Sequence, residues 1–391
     1  MISEEEARNR ILRAVSLRSE RTVLLLDAVD CFSARKVVAR IALPTFDNSA
    51  MDGYAVVASS SRKGARLQVI GEQPAGIDRH LRISPGQAAR IFTGAPIPTG
   101  ADAVVMQEDT TREEDEVLVN ADVDPGEFIR RRGCDLAEGQ KILGRGDRIR
   151  PATIALLASQ GFTDVTIGGQ VNVAILSTGD EIVVPGTKLD QGQIYESNSI
   201  LLQALVLRCR AIVTSAEHCP DQRERLTEAI QRGMKNHVLV ITGGVSVGEH
   251  DLVQATLRSL GVGIDVWRVA IKPGKPFLFA EAGGCAVFGL PGNPVSAFVT
   301  FLQFVRPAIL KMMGANEFDL PKAQVRLGVD FANQGDRTHY IRGRIDNGTF
   351  VPIGRQESHA LFGLSRSNAL LRVAAGESLK AGAIVEAQIW D

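Results

Sequence analysis

Three apolar runs in the middle of the chain each end in a glycine-containing turn. The runs are residues 171–176, 237–241 and 286–290. They are short, rich in Val, Ile and Leu, and bounded by turn-forming residues, which predicts buried strands. Because ligands in open α/β sheets collect beyond the carboxyl ends of the strands, the three turns predict a single binding site.

Helical and strand patterns organise the rest of the second half of the chain. Apolar residues recur at helical spacing in four segments, which are 199–207, 224–234, 252–260 and 295–310. Helices that alternate with strands over short connections predict βαβ units and a mostly parallel α/β sheet. After Pro321 the pattern changes to short strands, which are 323–329, 339–345, 370–373 and 384–389. We expect a separate C-terminal β module, and its pattern indicates no catalytic role.

The first part of the chain predicts a helix followed by a β-rich unit. Ser3 and Glu6 have the spacing of a capping box at a helix start. A strand is predicted at 37–43, and Pro151 is placed to begin a helix that Gly161 ends. Short apolar runs separated by Gly, Pro and Asp lie between them, at 67–70, 88–92, 103–106 and 116–119.

Composition sets limits on size, partners and location. The 391 residues, of which 45% are hydrophobic, can build two to four domain cores. Lys plus Arg (44) balance Asp plus Glu (45), so neither nucleic acid nor a membrane surface is an expected partner. The acidic N-terminus, and the lack of an apolar run approaching about 18 residues, predict a soluble cytoplasmic protein. Five scattered cysteines predict buried reduced thiols rather than disulfides or a zinc site.

The turn after the third strand has the composition of a helix start that faces a ligand. Gly292 permits a tight bend after Pro291, Asn293 can cap the helix, and Pro294 begins it without losing a needed donor. Free N–H groups and the helix dipole would then form an anion-binding site, although ordinary helix capping explains the same residues.

Two further turns carry groups suited to phosphate chemistry. Gly243, Gly244 and Ser246 allow backbone N–H groups to approach a ligand closely, although such a loop alone is a weak signal. Lys272 and Lys275 are held by Pro and Gly on a stiff turn between strands predicted at 266–271 and 277–280, which favours a functional role over a solubilising one. Together with carboxylates, these two lysines would support the cleavage of a phosphoanhydride.

Acidic and basic residues elsewhere complete this candidate chemistry. Asp180, Glu181 and Asp251 follow the predicted strands, and carboxylate oxygens suit Mg²⁺ carried with a phosphate substrate, although isolated loop Asp residues are often structural. The run from Arg130 to Arg132 precedes a glycine and Asp135. It is either a solvated face or a site for phosphate or another oxyanion.

Six separated motifs together resemble those of one enzyme family. They are 46–55 (FDNSAMDGYA), 91–96 (IFTGAP), 177–181 (STGDE), 242–248 (TGGVSVG), 272–276 (KPGKP) and 289–294 (GLPGNP). In this order they resemble the molybdopterin molybdenumtransferases, the bacterial relatives of the gephyrin E domain. One motif alone would be a weak signal, but the resemblance runs from about residue 5 to the C-terminus. The C-terminal module keeps a Ser358-His359 pair but has Ala369 where a glycine is common.

This resemblance implies a homodimer of four-domain subunits. The implied domains are 1–45 with 146–168, a β-rich insert at 46–145, an α/β molybdopterin-binding domain at 169–318 and a β domain at 319–391. The implied reaction inserts molybdenum from molybdate into adenylated molybdopterin and releases AMP, with Mg²⁺ as cofactor. Other proteins of molybdenum-cofactor biosynthesis are further implied partners.

The positions of the motifs also imply the site residues. The resemblance places the site in a cleft between subunits, and two groups of domains contribute residues to it. The implied catalytic residues are Asp52, Glu181, Asp251, Lys272 and Lys275. Of these, Asp52, Glu181 and Asp251 would hold metal or orient water. The implied substrate-binding residues are Thr93, Arg130, Asp135, Asp221, Gly243, Gly244, Ser246, Pro291, Gly292, Asn293 and Pro294.

Three other functions compete with this interpretation. A molybdopterin adenylyltransferase shares the α/β domain but lacks the flanking β modules. A nicotinamide dehydrogenase is disfavoured because no Gly-x-Gly-x-x-Gly follows the first strand of the α/β unit. A non-catalytic scaffold like gephyrin would have no need of the intact carboxylates and lysines.

Overall fold

The computed structural model of the chain describes residues 1–244 and 252–391. Two compact units are present. The first comprises Met1–Arg35, Arg145–Ile154 and Thr163–Asp391, and the second comprises Lys36–Gly144 and Ala155–Phe162. The α/β region and the C-terminal module belong to the first unit, whereas the β-rich insert lies mainly in the second. The four domain boundaries given above stay a prediction.

A six-stranded sheet forms the centre of the first unit. Its strands are β1 (Asn172–Thr178), β2 (Ile212–Cys219), β3 (Val238–Thr242), β4 (Ile264–Trp267), β5 (Leu278–Ala282) and β6 (Cys285–Leu290). Their spatial order is β2-β1-β3-β6-β5-β4. The first four strands in this order pair in parallel, and β5 pairs antiparallel with both β6 and β4. The prediction of a mostly parallel sheet is therefore confirmed.

Both faces of this sheet are buried, which explains why its strands are apolar throughout. Val173 and Ile175 of β1 belong to one hydrophobic cluster, whereas Ala174 and Leu176 belong to another. Successive strand residues point to opposite faces, so two clusters require apolar residues at every position.

The predicted helices are present, and their bounds in the α/β region agree within two residues. The helices are Glu4–Ala14, Pro151–Ser159, Asn198–Arg208, Arg223–Gly233, Leu252–Ser259, Pro294–Thr300, Arg306–Met312 and Leu361–Ser365. The hydroxyl of Ser3 accepts a hydrogen bond from the N–H of Glu6 at 3.1 Å, as the capping spacing predicts. The predicted helix at 295–310 is not regular, because Phe301–Val305 is π-helical. Pro307 has no N–H to donate, which accounts for the interruption.

The expectation that no apolar run reaches membrane-spanning length is wrong for this helical segment. Pro294–Met312 has 19 residues, and its length and composition alone would allow it to cross a membrane. However, 89% of its most apolar window is buried inside the protein. This burial is that of a core helix.

The C-terminal module is a small barrel. Its strands are β7 (Lys322–Leu327), β8 (Thr338–Asp346), β9 (Thr349–Pro352), β10 (Ala369–Val373) and β11 (Ile384–Ile389). They pair in the order β8-β9-β7-β11-β10, and β10 pairs again with β8 to close the sheet.

A strand predicted before the lysine turn is interrupted, because part of it joins this barrel. The run at 266–271 leaves the central sheet after Trp267, where Arg268 has a φ of +66°. Ile271–Lys272 then pairs with the start of β8. The lysine turn is thus attached to the barrel as well as to the central sheet.

The second unit contains a six-stranded sheet. Its strands in spatial order are Ala103–Met106, Gly53–Val56, Gln87–Ile91, Arg66–Gln73, Glu116–Val119 and Thr110–Glu113. The predicted strand at 37–43 forms only at Val37–Val38. The N–H groups of Arg40 and Ile41 donate to the side-chain oxygen of Gln160 instead of to a neighbouring strand.

Several two-stranded pairings complete the fold. The paired strands are Arg21–Leu24 with Asp164–Ile167, Asn48–Ser49 with Ile129–Arg130, Val37–Val38 with Lys141–Leu143, Ile182–Val183 with Ile194–Tyr195, and Phe331–Ala332 with Ser378–Leu379.

Candidate functional site

The turns after β1, β3 and β6 meet at one edge of the central sheet, as predicted. Gly243 has a φ of +86°, and a Cβ added to it would lie 2.1 Å from the carbonyl oxygen of Thr178. A Cβ added to Gly292 would lie 3.6 Å from the Cα of Gly243. The backbones of the three turns therefore approach so closely that position 243 requires glycine.

A buried asparagine joins two of these turns. Asn198 donates from Nδ2 to the Thr242 hydroxyl at 3.0 Å and to the Gly292 carbonyl at 2.7 Å. The Thr242 hydroxyl donates in turn to the carbonyl of Pro291 at 3.3 Å. Sequence reasoning missed Asn198, and its only signal was its position directly before a predicted helix.

The carboxylates beyond β1 and β2 form a small network. The N–H of Asp221 donates to the Asp180 carboxylate at 3.0 Å, and the Thr178 hydroxyl donates to the Asp221 carboxylate. The Glu181 side chain folds over Gly179, where an added Cβ would lie 2.6 Å from its Oε2. Asp180, Glu181 and Asp221 are all exposed, so their carboxylates are accessible to a ligand.

The predicted metal set stays a prediction, because it does not lie wholly within the residues that the structure describes. Asp251 and Ser246 lie outside them, while Asp52 belongs to the second unit and Glu181 to the first. Within residues 1–244 and 252–391, no three His, Cys, Asp or Glu side chains are grouped to hold a metal ion. A Mg²⁺ ion bound to substrate phosphate needs only one or two protein carboxylates, a number that Asp180 and Glu181 can supply.

A pocket of about 780 Å³ contains both predicted lysines. The loop Lys272–Pro276 forms one part of its lining, and Pro291, Asn293 and Ser296 form a second. The third part comes from the barrel module, and its residues are Arg337, Gln356, Glu357, Ser358 and His359. The module therefore lines the pocket, which its strand pattern did not predict.

The lysine turn packs closely against the core helix, which requires a glycine at position 274. Gly274 has a φ of +117°, and a Cβ added to it would lie 2.7 Å from a methyl carbon of Thr300. The N–H of Val269 donates to the carbonyl of Lys275 at 3.2 Å across the turn. The two exposed lysines therefore stand on a backbone that packs against the core helix.

The pocket is electropositive. Lys272, Lys275, Arg337 and His359 contribute basic side chains to its lining, against one carboxylate from Glu357. Burial, and to a smaller extent the charge of Lys272, lower the pKa of the neighbouring His339 to about 4. The His339 imidazole is therefore neutral at physiological pH, while the lining cations remain to bind an anion.

One N–H group of the anion-binding site predicted at the helix start is already bonded within the protein, and the site as a whole stays a prediction. Asn293 occupies the N-cap position, but its side chain makes no capping hydrogen bond. The N–H of Val295 donates to the carbonyl of Ser358 at 3.1 Å and is not available to an anion. The barrel therefore supplies an acceptor that local sequence could not reveal.

The second unit places Asp52 and Thr93 in contact. The Asp52 carboxylate accepts hydrogen bonds from the N–H of Thr93 at 2.7 Å and from its hydroxyl at 2.8 Å. These bonds, the backbone one first, hold the pKa of Asp52 below its ordinary value. The carboxylate is exposed and stays ionised at neutral pH.

The arginine run is only partly free for ligand binding. Arg131 donates to the Asp47 carboxylate at 2.7 Å, and Arg132 donates to that carboxylate through its N–H at 2.7 Å. Arg130 donates to the carbonyl of Ala50 at 3.5 Å and is exposed, as is Asp135. Asp47 was missed from the sequence, although it lies within the first family-like motif.

We expect Thr93→Val to raise the pKa of Asp52 partway toward its ordinary value. The variant loses the hydroxyl donor but keeps the N–H donor, which is the larger cause of the lowered pKa. The stabilisation from this carboxylate is present above its ordinary pKa and is lost as pH falls through the lowered value, so in the variant the loss should be smaller and complete at higher pH. Titration of the Asp52 carboxyl by NMR tests this, with Thr93→Ser as control. An unchanged pKa in the Val variant would contradict the assignment.

Family models match three segments that together span most of the chain. Residues 2–161 match the "MoeA N-terminal region (domain I and II)". Residues 174–311 match the "Probable molybdopterin binding domain", and residues 324–390 match the "MoeA C-terminal region (domain IV)".

Similar proteins and structures carry the same family name. The molybdopterin molybdenumtransferase of Haemophilus influenzae is 39% identical over 324 residues, which cover 82% of this chain and 80% of that protein. Molybdopterin molybdenumtransferase 2 of Mycobacterium tuberculosis is 36% identical over 383 residues, covering 95% and 94%. The crystal structure of the molybdopterin biosynthesis moeA protein of Pyrococcus horikoshii OT3 superposes with a TM-score of 0.86 at 30% identity over the full length of both chains.

Proposed function

This chain belongs to the molybdopterin molybdenumtransferase family and is a transferase of molybdenum-cofactor biosynthesis, and from this premise we propose its reaction. It inserts molybdenum from molybdate into adenylated molybdopterin and releases AMP. The observation that supports the proposal is the electropositive pocket beside the glycine turns of the central sheet. Its volume of about 780 Å³ is within the range of small-molecule sites.

The pocket cations have the charge and placement that an oxyanion needs. In the proposed reaction, Lys272, Lys275 and Arg337 bind molybdate or the substrate phosphate, and the glycine turns allow the pterin phosphate to approach the backbone. Preorganised cations stabilise the charge that develops when the phosphoanhydride is cleaved. Ser358 and His359 add polar contacts from the barrel to the same lining.

The carboxylates serve the metal and the attacking water. Glu181 would hold Mg²⁺ together with Asp52 and Asp251, the other members of the predicted set, and the neighbouring Asp180 offers a further carboxylate. Mg²⁺ when bound neutralises charge on the phosphates. Asp52 is ionised at neutral pH, as a metal ligand or water-orienting group must be, and its bonds to Thr93 lower its pKa further below neutrality.

One assay tests the reaction against its competitors. The chain is supplied with adenylated molybdopterin, Mg²⁺ and molybdate, and AMP is measured with time. We expect AMP release that requires molybdate. Formation of adenylated molybdopterin from ATP and molybdopterin would instead support the adenylyltransferase, and neither activity would support a scaffold.

Our proposal includes a cytoplasmic homodimer that receives its substrate from other enzymes of the pathway. Sedimentation should give a mass twice the 42.1 kDa of one chain. A mass equal to that of one chain at micromolar concentration would contradict the dimer.

A further inference from the structure

Arg90 is a cation of the second unit for which the reaction described so far has no role. It lies in the strand Gln87–Ile91 and is half-buried. The central carbon of its guanidinium lies 5.3 Å from the centre of the Tyr54 ring and 5.1 Å from the centre of the Phe92 ring. Aromatic faces attract a guanidinium, so both rings hold this side chain in place.

The hydrogen bonds of Arg90 close a ring that includes the backbone of Asp52. The guanidinium donates from Nη1 to the carbonyl of Gly53 at 3.0 Å and from Nη2 to the side-chain oxygen of Gln107. The N–H of Gln107 donates in turn to the carbonyl of Asp52 at 3.0 Å. Arg90 and Gln107 therefore hold the carbonyls of two consecutive residues, of which the first carries the catalytic carboxylate implied by the family.

Arg90 also contacts the segment that holds the Asp52 carboxylate. That carboxylate accepts hydrogen bonds from the N–H and the hydroxyl of Thr93, at 2.7 and 2.8 Å. Thr93 directly follows Phe92, the residue whose ring lies against the guanidinium. One side chain therefore contacts both the backbone that carries the carboxylate and the segment that provides its two donors.

The backbone beside Asp52 is closely packed, whereas its side chain is exposed. A Cβ added to Gly53 would lie 1.9 Å from the carbonyl oxygen of Val105, so this segment lies directly against the neighbouring strand. The Asp52 side chain has no such packing and could adopt several rotamers if its hydrogen bonds were lost. A carboxylate that binds a metal or orients a water needs hydrogen-bonded support of this kind.

We propose that Arg90 is a positioning residue, which together with Gln107 fixes the backbone of Asp52 beside Thr93 and thereby holds the Asp52 carboxylate in one orientation. This inference rests on the proposed function, because it takes Asp52 to bind Mg²⁺ or to orient the attacking water. Arg90 touches no substrate in this role.

The test compares two substitutions with a matched control. Arg90→Met keeps much of the side-chain length but donates no hydrogen bond, and Arg90→Lys keeps the charge but not the planar fork. Arg112→Met is the control, because Arg112 is exposed in the same sheet. Loss of hydrogen bonds from a charged donor predicts that Arg90→Met lowers the kcat of molybdate-dependent AMP release, per folded enzyme, at least about tenfold. Arg90→Lys should show a smaller loss, and Arg112→Met should show none.

Hydrogen–deuterium exchange provides a readout that does not depend on turnover. It is measured by NMR at the N–H groups of Thr93 and Gln107, which both donate to Asp52, and at that of Val117, which is fully buried in the same sheet. In Arg90→Met we expect exchange at least about tenfold faster at Thr93 and Gln107, and unchanged at Val117, because only local opening becomes easier. A merely structural role would destabilise the whole sheet and raise all three rates together.

Either of two results would overturn the proposal. One is a kcat within about twofold of the wild-type value, and the other is exchange at Thr93 that is accelerated no more than exchange at Val117. If Arg90→Met does not fold, both measurements are made on Arg90→Lys. Failure of the proposed function would instead appear as absence of molybdate-dependent AMP release by the wild-type chain, and the exchange rates would still test the positioning of Asp52.

Discussion

Replacement of Lys275 by Ala is expected to lower molybdate-dependent AMP release about 100-fold while the fold stays intact. Removing one preorganised oxyanion-hole donor from an acyl-transfer enzyme reduces kcat by roughly 10²–10³, and Lys275 would stabilise transition-state charge in a similar way. Lys275 is exposed and its ammonium group lines the pocket, so no core packing is lost. The rate is measured with saturating adenylated molybdopterin and Mg²⁺, and the fold is checked by thermal unfolding.

Lys235→Ala is the matched control for this variant. Lys235 is an exposed lysine of the same unit and is not part of the pocket lining. We expect wild-type turnover from it, because a change in overall charge alone should not affect the site. Wild-type turnover from Lys275→Ala would remove this lysine from the proposed site. A large loss of thermal stability in that variant would contradict the assumption of a purely functional side chain.

Gly243→Ala should destabilise the first unit by about 4 kcal/mol or more, which is an exceptional cost for adding one methyl group. The left-handed backbone at φ +86° is unfavourable for alanine. The added Cβ would also lie 2.1 Å from the Thr178 carbonyl oxygen, a backbone atom that cannot move without displacing the end of β1. We expect a lowered urea midpoint and loss of activity in whatever fraction folds.

Gly261→Ala isolates the backbone contribution to this effect. Gly261 has a φ of +76°, but an added Cβ would meet no atom within 4 Å. Its substitution should therefore cost only the left-handed strain of about 1–2 kcal/mol. Equal destabilisation of the two variants in urea unfolding would show that the close approach of the turns to Thr178 is not what requires glycine at position 243.

Features that depend on near neighbours were predictable from the sequence. The apolar runs of β1, β3 and β6 and the glycine turns after them are local patterns, and their convergence follows from the rules of parallel sheets. The helix starts at Ser3 and Pro294 were also predictable, because the N–H groups that lack a partner at a helix start belong to the first few residues of that helix.

Predictions failed where a distant residue provides the hydrogen-bond partner. Gln160 takes the N–H groups of Arg40 and Ile41, so the strand predicted there stops early. Ser358 likewise accepts the N–H of Val295, which a helix-capping rule would leave free for a ligand. Neither partner is recognisable from residue type, because Gln and Ser make such contacts only where the fold brings them close.

By itself, the sequence determined the chemical groups of this protein: the paired lysines, the carboxylates and the glycines that admit close backbone approach. Only the tertiary structure decided which of these groups share a pocket. It adds Arg337 and His359 from the barrel to the lysine turn. The physical reason is that hydrophobic periodicity specifies only which face of an element is buried. The pairing of Ile271–Lys272 with β8 joins distant parts of the chain, and it specifies which barrel residues lie beside the lysines.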